Sequence, residues 1–410
     1  MSSKASIKRY KLSTFKLNAL LEVTQTINEN KSVDELLKRY EKILKEDLSI
    51  GKILIFKFQD KWDCILKSGL NGFDEKKINV EKVLISFEEI TFITSAQHEL
   101  LEAFDIVIPV INNDKPLAYV LIGDIDEEGE GVSPTIKHLN FIHTLSNIII
   151  VATENIRLFN ESLRQEAIRK ELELASRMQS MLIPDNSLLP HNDKINITAF
   201  YHPHFDVGGD YYDCIKLSDS EFGFCIADVS GKGISAAILM SNFQANLRAL
   251  FSPEISLDAL VGKLNERVLF SAKGEKFITL FVGKYNTERK ELKFINAGHN
   301  PPLMYHVKSK KLEYLKSGCV GMGMLDEIPI VNVGTITINE PSKLICYTDG
   351  LVELVGKEDV ELDTHELEVC ISNDLGINKN IQALIDKQGI LDGNQAIFDD
   401  ISILGLELFV

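Results

Sequence analysis

Four short acidic motifs in the second half of the chain constrain its fold and chemistry more than any other feature. They are Gly-Asp-Tyr-Tyr-Asp at residues 209–213, Ala-Asp-Val-Ser-Gly-Lys-Gly at 227–233, Tyr-Thr-Asp-Gly at 347–350 and Asp-Asp-Ile-Ser at 399–402. Each puts an aspartate where an apolar, strand-like run meets a turn, and a strand end is a rigid mount for a short carboxylate. Carboxylates that converge without Cys or His partners form an all-oxygen site, which suits Mg²⁺ or Mn²⁺ better than Zn²⁺. One such aspartate is usually a turn former or a helix cap, but four of them favour a metal site.

The same motifs carry a family resemblance. Together with Asn-Ala-Gly-His-Asn-Pro-Pro at residues 296–302, and in this order, they resemble the bacterial PPM (PP2C-like) serine/threonine phosphatases of the stage-II-sporulation-E and sigma-B-regulator type. The segment Met-Gln-Ser-Met-Leu-Ile-Pro at 178–184 is similar to the lead-in segment of that group. The resemblance covers residues 170–410 and implies an αββα sandwich with a metal site at one end of the two sheets.

We expect an α+β protein with two domains joined by a helix, because 410 residues are many for one core. Residues 13–155 show the order helix, strands, hairpin, helix, which resembles a GAF-like α/β sensor. Residues 156–184 are predicted as a helical, coiled-coil linker. Residues 185–410 alternate strand-like runs with two helical segments, as a C-terminal αββα sandwich phosphatase domain requires.

Apolar periodicity predicts the individual elements. They are helices over 13–48, 136–182, 234–251 and 257–270, and strands over 53–58, 62–66, 104–111, 117–122, 195–201, 223–227, 277–285, 291–297, 303–307, 330–338, 344–347 and 401–408.

The helix over 136–182 has apolar residues in a/d-like spacing, in two registers separated by a phase slip at 164–167. The first register holds Ala152, Ile156, Phe159 and Leu163, and the second holds Ile168, Leu172 and Ala175. The slip resembles a stutter, which changes supercoiling locally. We expect a parallel coiled-coil homodimer through this linker; the alternative is one helix packed on its own domain.

The resemblance implies a role for each acidic residue of the site. Asp228 would bridge two metal ions, and the backbone carbonyl of Val229 would add a ligand. Asp349 and Asp399 would complete the shell of one metal, and Asp210 would hold metal-bound waters.

Three further aspartates have less certain places in this scheme. Asp400 follows Asp399 directly and is either a metal ligand in its place or the residue that orients the turn. Asp213 and Asp206 are expected to be structural. Asp228 and Asp210 are also candidate catalytic residues.

Two positions depart from the pattern of the family, and one histidine has two interpretations. Ser230 stands where eukaryotic relatives have a histidine proposed as general acid, so the leaving group would take its proton from water. Lys232 stands where bacterial relatives often have histidine; it either contacts phosphate or is simply solvated. His299 is a candidate catalytic residue near the substrate, or a hydrogen-bonding scaffold residue of its turn.

The leading hypothesis is a metal-dependent protein serine/threonine phosphatase that uses a water activated by two Mn²⁺ or Mg²⁺ ions and is regulated by the N-terminal sensor. The resemblance implies a phosphorylated anti-anti-sigma (STAS-type) protein as substrate. The alternative is a catalytically impaired, phosphoprotein-binding signalling adaptor. Intact Asp228, Asp349 and Asp399 favour the enzyme, because clustered carboxylates are costly for a scaffold to keep.

Composition excludes some partners and indicates a compartment. A net charge of −16 argues against nucleic acid, whose phosphates call for a basic surface. The six cysteines form no CxxC pair, which favours buried, reduced thiols. No apolar run is long enough to span a bilayer, so we expect a cytoplasmic protein without membrane insertion. No motif identifies a ligand for the GAF-like domain.

Overall fold

A computed structural model describes residues 2–93, 99–112, 114–125, 134–204, 207–354, 364–391 and 397–410. The chain divides into two compact units, Met1–Glu166 and Ala167–Val410. The division falls inside one continuous helix, Pro134–Ser180, so this helix continues along the chain from the first unit into the second. Among the described residues, no helix combines the length and the apolar character needed to cross a membrane.

The described part of the first unit has one antiparallel five-stranded sheet in the order β2-β1-β5-β4-β3. Its elements are α1 (Ser2–Asn28), α2 (Val33–Lys42), β1 (Ile50–Phe58), β2 (Trp62–Ser68), α3 (Val80–Val83), β3 (Thr91–Phe92), β4 (Ile106–Asn112), β5 (Lys115–Ile125) and α4 (Pro134–Ser180), with short helical turns at Ile43–Asp47, Glu75–Lys77 and Glu99–Leu101. The predicted hairpin of β4 and β5 is confirmed.

Both faces of this sheet are covered by apolar residues. Ile53 and Ile55 of β1 join a core with residues of α1, α2 and α4. Leu54 and Phe56 point to the other face and join a second cluster that includes Val80 of α3. The strand therefore alternates between two buried layers, as its continuous apolar sequence indicates.

The single helix predicted over 13–48 is wrong, because the chain forms two helices there. Asn30 takes a left-handed φ of 52°, which ends α1. Ser32 then caps α2, accepting a hydrogen bond from the backbone of Glu35 while the Glu35 carboxylate accepts one from the Ser32 amide. The periodicity continues across the break because both helices bury an apolar face in the same core.

The second unit has two sheets packed face to face. Over its described residues, one sheet has the order β13-β10-β9-β8-β7 with β14 also on β10, and the other has the order β12-β11-β15-β16-β6. The strands are β6 (Ile195–His202), β7 (Tyr211–Lys216), β8 (Glu221–Val229), β9 (Ile278–Asn286), β10 (Glu291–Ala297), β11 (Leu303–His306), β12 (Lys311–Tyr314), β13 (Gly318–Cys319), β14 (Gly334–Thr337), β15 (Ser342–Tyr347) and β16 (Ile401–Leu408). The helices are α5 (Ile234–Leu250), α6 (Leu257–Ala272), α7 (Asp349–Val352), α8 (Thr364–Ile371) and α9 (Ile377–Gln388), with a short turn at Asn186–Leu188.

Helices cover the outer face of each sheet, which gives four layers. Strand β15 shows the arrangement: Leu344 and Cys346 point into the core between the sheets. Ile345 and Tyr347 point outward into a cluster with α8 and α9. Helices α5 and α6 pack on the other sheet, through residues such as Phe243. The expected α+β class and the αββα order of layers are confirmed.

Candidate metal centre

The four motif aspartates lie next to the ends of four strands. Asp228 is the next-to-last residue of β8, and Asp210 directly precedes the neighbouring strand β7. In the other sheet, Asp349 follows β15 after one residue, and Asp399 precedes the neighbouring strand β16 by two residues. Each sheet therefore supplies two carboxylates on adjacent strands.

Burial and the charges of neighbouring carboxylates raise the pKa of three of these aspartates. Burial raises the pKa of Asp228 to about 7, and the charges of Asp349 and Asp399 add to the shift. Burial, followed by the charge of Asp228, raises the pKa of Asp210 well above its usual range. Burial and the Asp399 charge raise the pKa of Asp349. The structure therefore brings these four predicted residues together in one electrostatic environment, although they come from two sheets.

Asp210 is the most deeply buried carboxylate of the group, at 1% exposure. The Thr348 hydroxyl donates a 2.8 Å hydrogen bond to Asp210 Oδ2. The backbone N–H of Ser402 in turn donates to Thr348 Oγ1 at 2.9 Å. This chain of hydrogen bonds orients Asp210 from the opposite sheet.

The two adjacent aspartates at 399 and 400 have different surroundings. Asp400 is 6% exposed, and its two oxygens accept hydrogen bonds from the backbone N–H groups of His204 at 2.8 Å and Gly209 at 2.6 Å. It thereby holds the segment that leads into Asp210. Asp399 is more open, and its Oδ1 accepts the backbone N–H of Asp400 at 2.8 Å. The geometry favours Asp399 as the metal ligand and Asp400 as the residue that orients the turn.

Lys232 is ion-paired rather than simply solvated. Its ammonium lies 2.9 Å from Asp399 Oδ2 and also donates to the backbone carbonyl of Phe398. Burial lowers the pKa of Lys232, but the hydrogen bond and charge of Asp399 outweigh this and leave the pKa raised. The cation therefore stays charged at the edge of the acidic cluster.

The loop between β8 and α5 is shaped by close backbone contacts. A Cβ on Gly209 would lie 2.9 Å from the carbonyl oxygen of Val229, the predicted backbone ligand. Gly231 takes a φ of 78°, a conformation that L side chains rarely adopt. Ser230 is fully engaged in this loop: its Oγ accepts the backbone N–H of Phe277 at 2.9 Å, and its carbonyl accepts Lys276 Nζ at 2.7 Å.

Two of the remaining predicted residues take structural positions. Asp213 is 1% exposed and forms an ion pair with Arg248 of α5 at 2.8 Å, as its expected structural role requires. The Tyr211 hydroxyl also donates to this carboxylate. His299 is 6% exposed and bonded to Thr279 at 2.9 Å, so its burial argues against contact with substrate. Asp206 lies outside the described residues.

Gln179 belongs to the lead-in segment 178–184, but the sequence patterns assigned it no role at the site. It lies in the last turn of α4 and is 7% exposed. Its amide donates to the carbonyl of Gly208 at 2.6 Å and accepts the N–H of Gly208 at 3.1 Å. Five residues after Gln179, the carbonyl of Pro184 accepts a 3.1 Å hydrogen bond from the Tyr212 hydroxyl. A polar residue at a helix end gives no periodic signal, so only its spatial partner reveals its role.

The donor set fits an open, oxygen-only cation site. Among the residues that the structure describes, no three Asp, Glu, His or Cys side chains converge closely enough to enclose an ion by themselves. Mg²⁺ usually keeps several waters and takes only one or two carboxylates directly, so a complete cage is not needed. The raised pKa values of Asp228 and Asp349 show a concentration of negative charge that a divalent cation would relieve.

Comparisons with known proteins agree with this geometry. Residues 218–409 match the family described as Stage II sporulation protein E (SpoIIE). The second unit is a SpoIIE-family PP2C phosphatase domain. The resemblance read from the acidic motifs is thereby confirmed for this domain.

Individual relatives show how far the similarity extends. Phosphoserine phosphatase RsbU of Bacillus subtilis (strain 168) is 27% identical over 189 residues, which are 46% of this chain and 55% of RsbU. Protein IcfG of Synechocystis sp. (strain ATCC 27184 / PCC 6803 / Kazusa) is 24% identical over 332 residues, 73% of this chain and 51% of IcfG. The chain thus spans about half the length of the curated relatives it matches.

One solved structure supports the fold of the PP2C domain. The SiaA-PP2C domain of Pseudomonas aeruginosa superposes with a TM-score of 0.50 at 18% identity, covering 61% of this chain and 98% of that domain. At this identity the likeness concerns the arrangement of helices and sheets, which agrees with the four layers described above.

Proposed function

We propose that the PP2C domain is a metal-dependent protein phosphatase that hydrolyses phosphoserine and phosphothreonine. The observation that carries this proposal is the convergence of Asp228, Asp349 and Asp399, from two sheets, into one acidic cluster in which burial and the neighbouring charges raise the pKa of Asp228 and Asp349. The relatives RsbU and RsbP, both named phosphoserine phosphatases, support the same reaction.

The site residues divide into ligands and positioning groups. When bound, two Mn²⁺ or Mg²⁺ ions acidify a water molecule and neutralise charge on the phosphoryl group. The residues that would hold them are Asp228, the Val229 carbonyl, Asp349 and Asp399, with Asp210 acting through water. Asp400 would keep its place in the turn.

The chain offers no obvious general acid at the position after Val229. Ser230 uses its Oγ to accept the backbone N–H of Phe277, and its hydroxyl is in any case a very weak acid. We therefore expect the leaving serine or threonine oxygen to take its proton from solvent. Lys232 stands at the edge of the cluster, where a phosphate dianion could also be attracted.

We propose a phosphorylated STAS-type anti-anti-sigma protein as substrate. The resemblance of the acidic motifs to the sigma-B-regulator phosphatases is the ground for this class of substrate, and similarity to the phosphoserine phosphatase RsbU supports a substrate that carries phosphoserine. An adaptor that binds phosphoprotein without hydrolysis is the second candidate. The complete set Asp228, Asp349 and Asp399 favours the enzyme over the adaptor.

We also propose that the first unit is a GAF-like sensor and that the chain forms a cytoplasmic homodimer through α4. Large apolar residues of the predicted registers of α4 are exposed, as a coiled-coil partner would require: Phe159, Leu163 and Ile168 are 64%, 49% and 50% exposed. Gln179, at the end of the same helix, holds Gly208 in the segment before Asp210. A change in α4 would thereby reach the metal centre.

Hydrolysis of a phosphoserine peptide by the full chain, with and without Mn²⁺, tests the proposed reaction. Asp228→Asn removes one negative charge from the proposed bridging ligand and should lower the rate by at least ~10²–10³. Asp219→Asn is the matched control, because Asp219 is fully exposed and pairs only with Lys216 among the described residues. Activity of Asp228→Asn within about threefold of wild type would contradict the two-metal assignment. Binding of phosphopeptide with no Mn²⁺-dependent turnover in wild type would favour the adaptor.

A further inference from the structure

Thr279 and His299 form a polar pair directly behind Asp228. Thr279 on β9 stands opposite Asp228 in the antiparallel register of β8 and β9. Its Oγ1 lies 2.9 Å from His299 Nδ1 and 3.5 Å from the backbone carbonyl oxygen of Asp228. The hydroxyl is thus placed between the histidine ring and the backbone of the proposed bridging ligand.

The backbone around His299 is held firmly in place. The His299 N–H donates to Asn296 Oδ1 at 2.8 Å inside the same turn. Gly298 takes a left-handed φ of 65°, and a Cβ there would lie 2.9 Å from the backbone nitrogen of Gly321. The backbone that carries the ring is therefore fixed within this turn, and the ring itself is held by its contact with Thr279.

The ring also borders the second sheet. The backbone of Tyr347, the last residue of β15, acts on the pKa of His299, partly opposing the effect of burial. Tyr347 is followed by Thr348, which holds Asp210, and then by the proposed ligand Asp349. His299 is thus linked by contact, through Thr279, to the strand pair behind Asp228, and electrostatically to the strand that leads to Asp349.

Direct proton transfer by His299 does not fit its surroundings. The side chain is 6% exposed, and burial lowers its pKa to about 4. A group of this pKa is neutral at neutral pH and donates no proton to a leaving oxygen. Its contribution has to come through the residues that it touches.

We propose that His299, together with Thr279, is a positioning residue that holds the backbone of Asp228 in place and so sets the affinity of the centre for divalent cations. This inference rests on the proposed function. Divalent cations accept only a narrow range of ligand distances, and the groups behind the ligands fix those distances. Loss of such a supporting partner typically costs ~10–100-fold in metal affinity.

The test measures Mn²⁺ binding to the full chain from the electron paramagnetic resonance signal of free Mn²⁺, which does not depend on turnover. His299→Ala and Thr279→Val should each weaken binding ~10–100-fold. Thr279→Ser keeps the hydroxyl and should bind Mn²⁺ within about threefold of wild type, well inside that range. With phosphopeptide, excess Mn²⁺ should restore most of the kcat of Thr279→Val.

His306→Ala is the matched control. His306 is also buried, at 9% exposure, and its Nδ1 lies 2.8 Å from the hydroxyl of Ser342. Ser342 begins β15, whereas Tyr347 ends it, so this histidine lies at the end of the strand away from Asp349. His306→Ala should lower thermal stability without changing Mn²⁺ affinity.

Three outcomes would overturn the proposal. In the first, His299→Ala folds and binds Mn²⁺ with wild-type affinity but no longer hydrolyses phosphopeptide. His299 would then be a catalytic group, and the proposed function would stay intact. Equal loss of affinity in Thr279→Val and Thr279→Ser would remove the role of the hydroxyl. A wild-type chain that neither binds Mn²⁺ nor hydrolyses phosphopeptide would overturn the proposed function together with this inference. The two Thr279 variants decide the question if His299→Ala does not fold.

Discussion

At the scale of single residues, negative charge collected in a small volume dominates the centre. Burial raises the pKa of both Asp228 and Asp210; the charges of Asp349 and Asp399 add to the shift of Asp228, and the charge of Asp228 adds to that of Asp210. The folded chain without cations therefore resists full ionisation of the cluster. Lys232 offsets part of this charge at Asp399. Cation binding and proton binding should therefore compete at this site.

This competition predicts a pH dependence of stability. The pKa of Asp228 is about 7 in the folded chain and about 3.9 in an unfolded one. The folded state therefore binds more protons between these values, and the contribution of Asp228 to the free energy of unfolding is present at low pH and lost as pH rises through 7. In EDTA, the Tm of Asp228→Asn minus the Tm of wild type should increase from pH 5 to 8, because wild type loses the contribution of Asp228 and asparagine does not titrate.

Thermal unfolding monitored by circular dichroism checks this difference. Saturating Mn²⁺ is the control condition, since the cation replaces the proton at the cluster and should remove the trend from wild type. A Tm difference that stays constant across this pH range in EDTA would mean that Asp228 titrates normally.

The cysteines should take no part in the reaction. Burial raises the pKa of the Cys225 and Cys346 thiols well above the ordinary range, and that of Cys214 to about 12. Burial likewise raises the pKa of Cys64, Cys319 and Cys370. Few thiolates form at neutral pH, so iodoacetamide should leave Mn²⁺-dependent hydrolysis largely unchanged. Complete loss of activity in a chain that stays folded would point to a cysteine nucleophile instead.

At the scale of elements, the C-terminal ends of α4 and α5 are attached by side chains to the segment around Asp210. Gln179 of α4 holds both backbone groups of Gly208. Arg248 of α5 holds Asp213 of β7 through two hydrogen bonds, of 2.8 and 3.0 Å. Both helices therefore contact the motif that contains Asp210, and a shift of either one would displace that carboxylate.

Gln179→Ala should weaken apparent Mn²⁺ affinity ~10-fold, the lower end of the range for supporting groups, because Gly208 loses two hydrogen bonds. Ser180→Ala is the matched control, since Ser180 is exposed and donates only within its own helix turn in the described structure. The measurement is the Mn²⁺ dependence of phosphopeptide hydrolysis beside direct Mn²⁺ binding. Equal affinities for the two variants would show that the end of α4 does not act on the centre.

At the scale of the whole molecule, α4 is the one described helix that belongs to both compact units. The phase slip at 164–167 includes the boundary of the two units, between Glu166 and Ala167. If α4 forms the proposed coiled coil, the heptad register of its first part continues along the helix from the first unit into the second.

Inserting three or four residues at 164–167 should change the basal phosphatase rate, because it rotates the apolar positions of the helix relative to each other. An insertion of seven residues restores the heptad phase and is the control that should leave the rate near wild type. Analytical ultracentrifugation establishes whether each variant stays dimeric. If all three insertions gave the same rate as wild type, the linker would act as a passive tether.

Local patterns in the chain were enough to identify the aspartates of the candidate metal centre and most of the strands. An aspartate where an apolar run meets a turn is a local signal, and it placed Asp228, Asp349 and Asp399 at the ends of predicted strands. Asp210 was recognised from its motif alone, because the strand that follows it was not predicted. The αββα order followed in the same way from alternating strand-like and helical runs. Strand β7 was missed because Asp213, paired inside with Arg248, interrupts its apolar pattern. Helix α9 was missed although Ile377, Ile381 and Leu384 recur at helical spacing.

Contacts between distant segments decided what each polar residue does. Thr348 reaches Asp210 across 138 positions of the chain, and Gly209 reaches Asp400 across 191. No local pattern encodes such a pairing, because it depends on how two sheets meet. Burial in the folded domain likewise distinguishes Asp400, which is buried, from Asp399, its neighbour in the chain. It also shows that His299, a candidate catalytic residue in the sequence, is buried against Thr279 behind Asp228. Hydrogen bonding and desolvation are properties of the packed interior, so they exist only once the tertiary structure has formed.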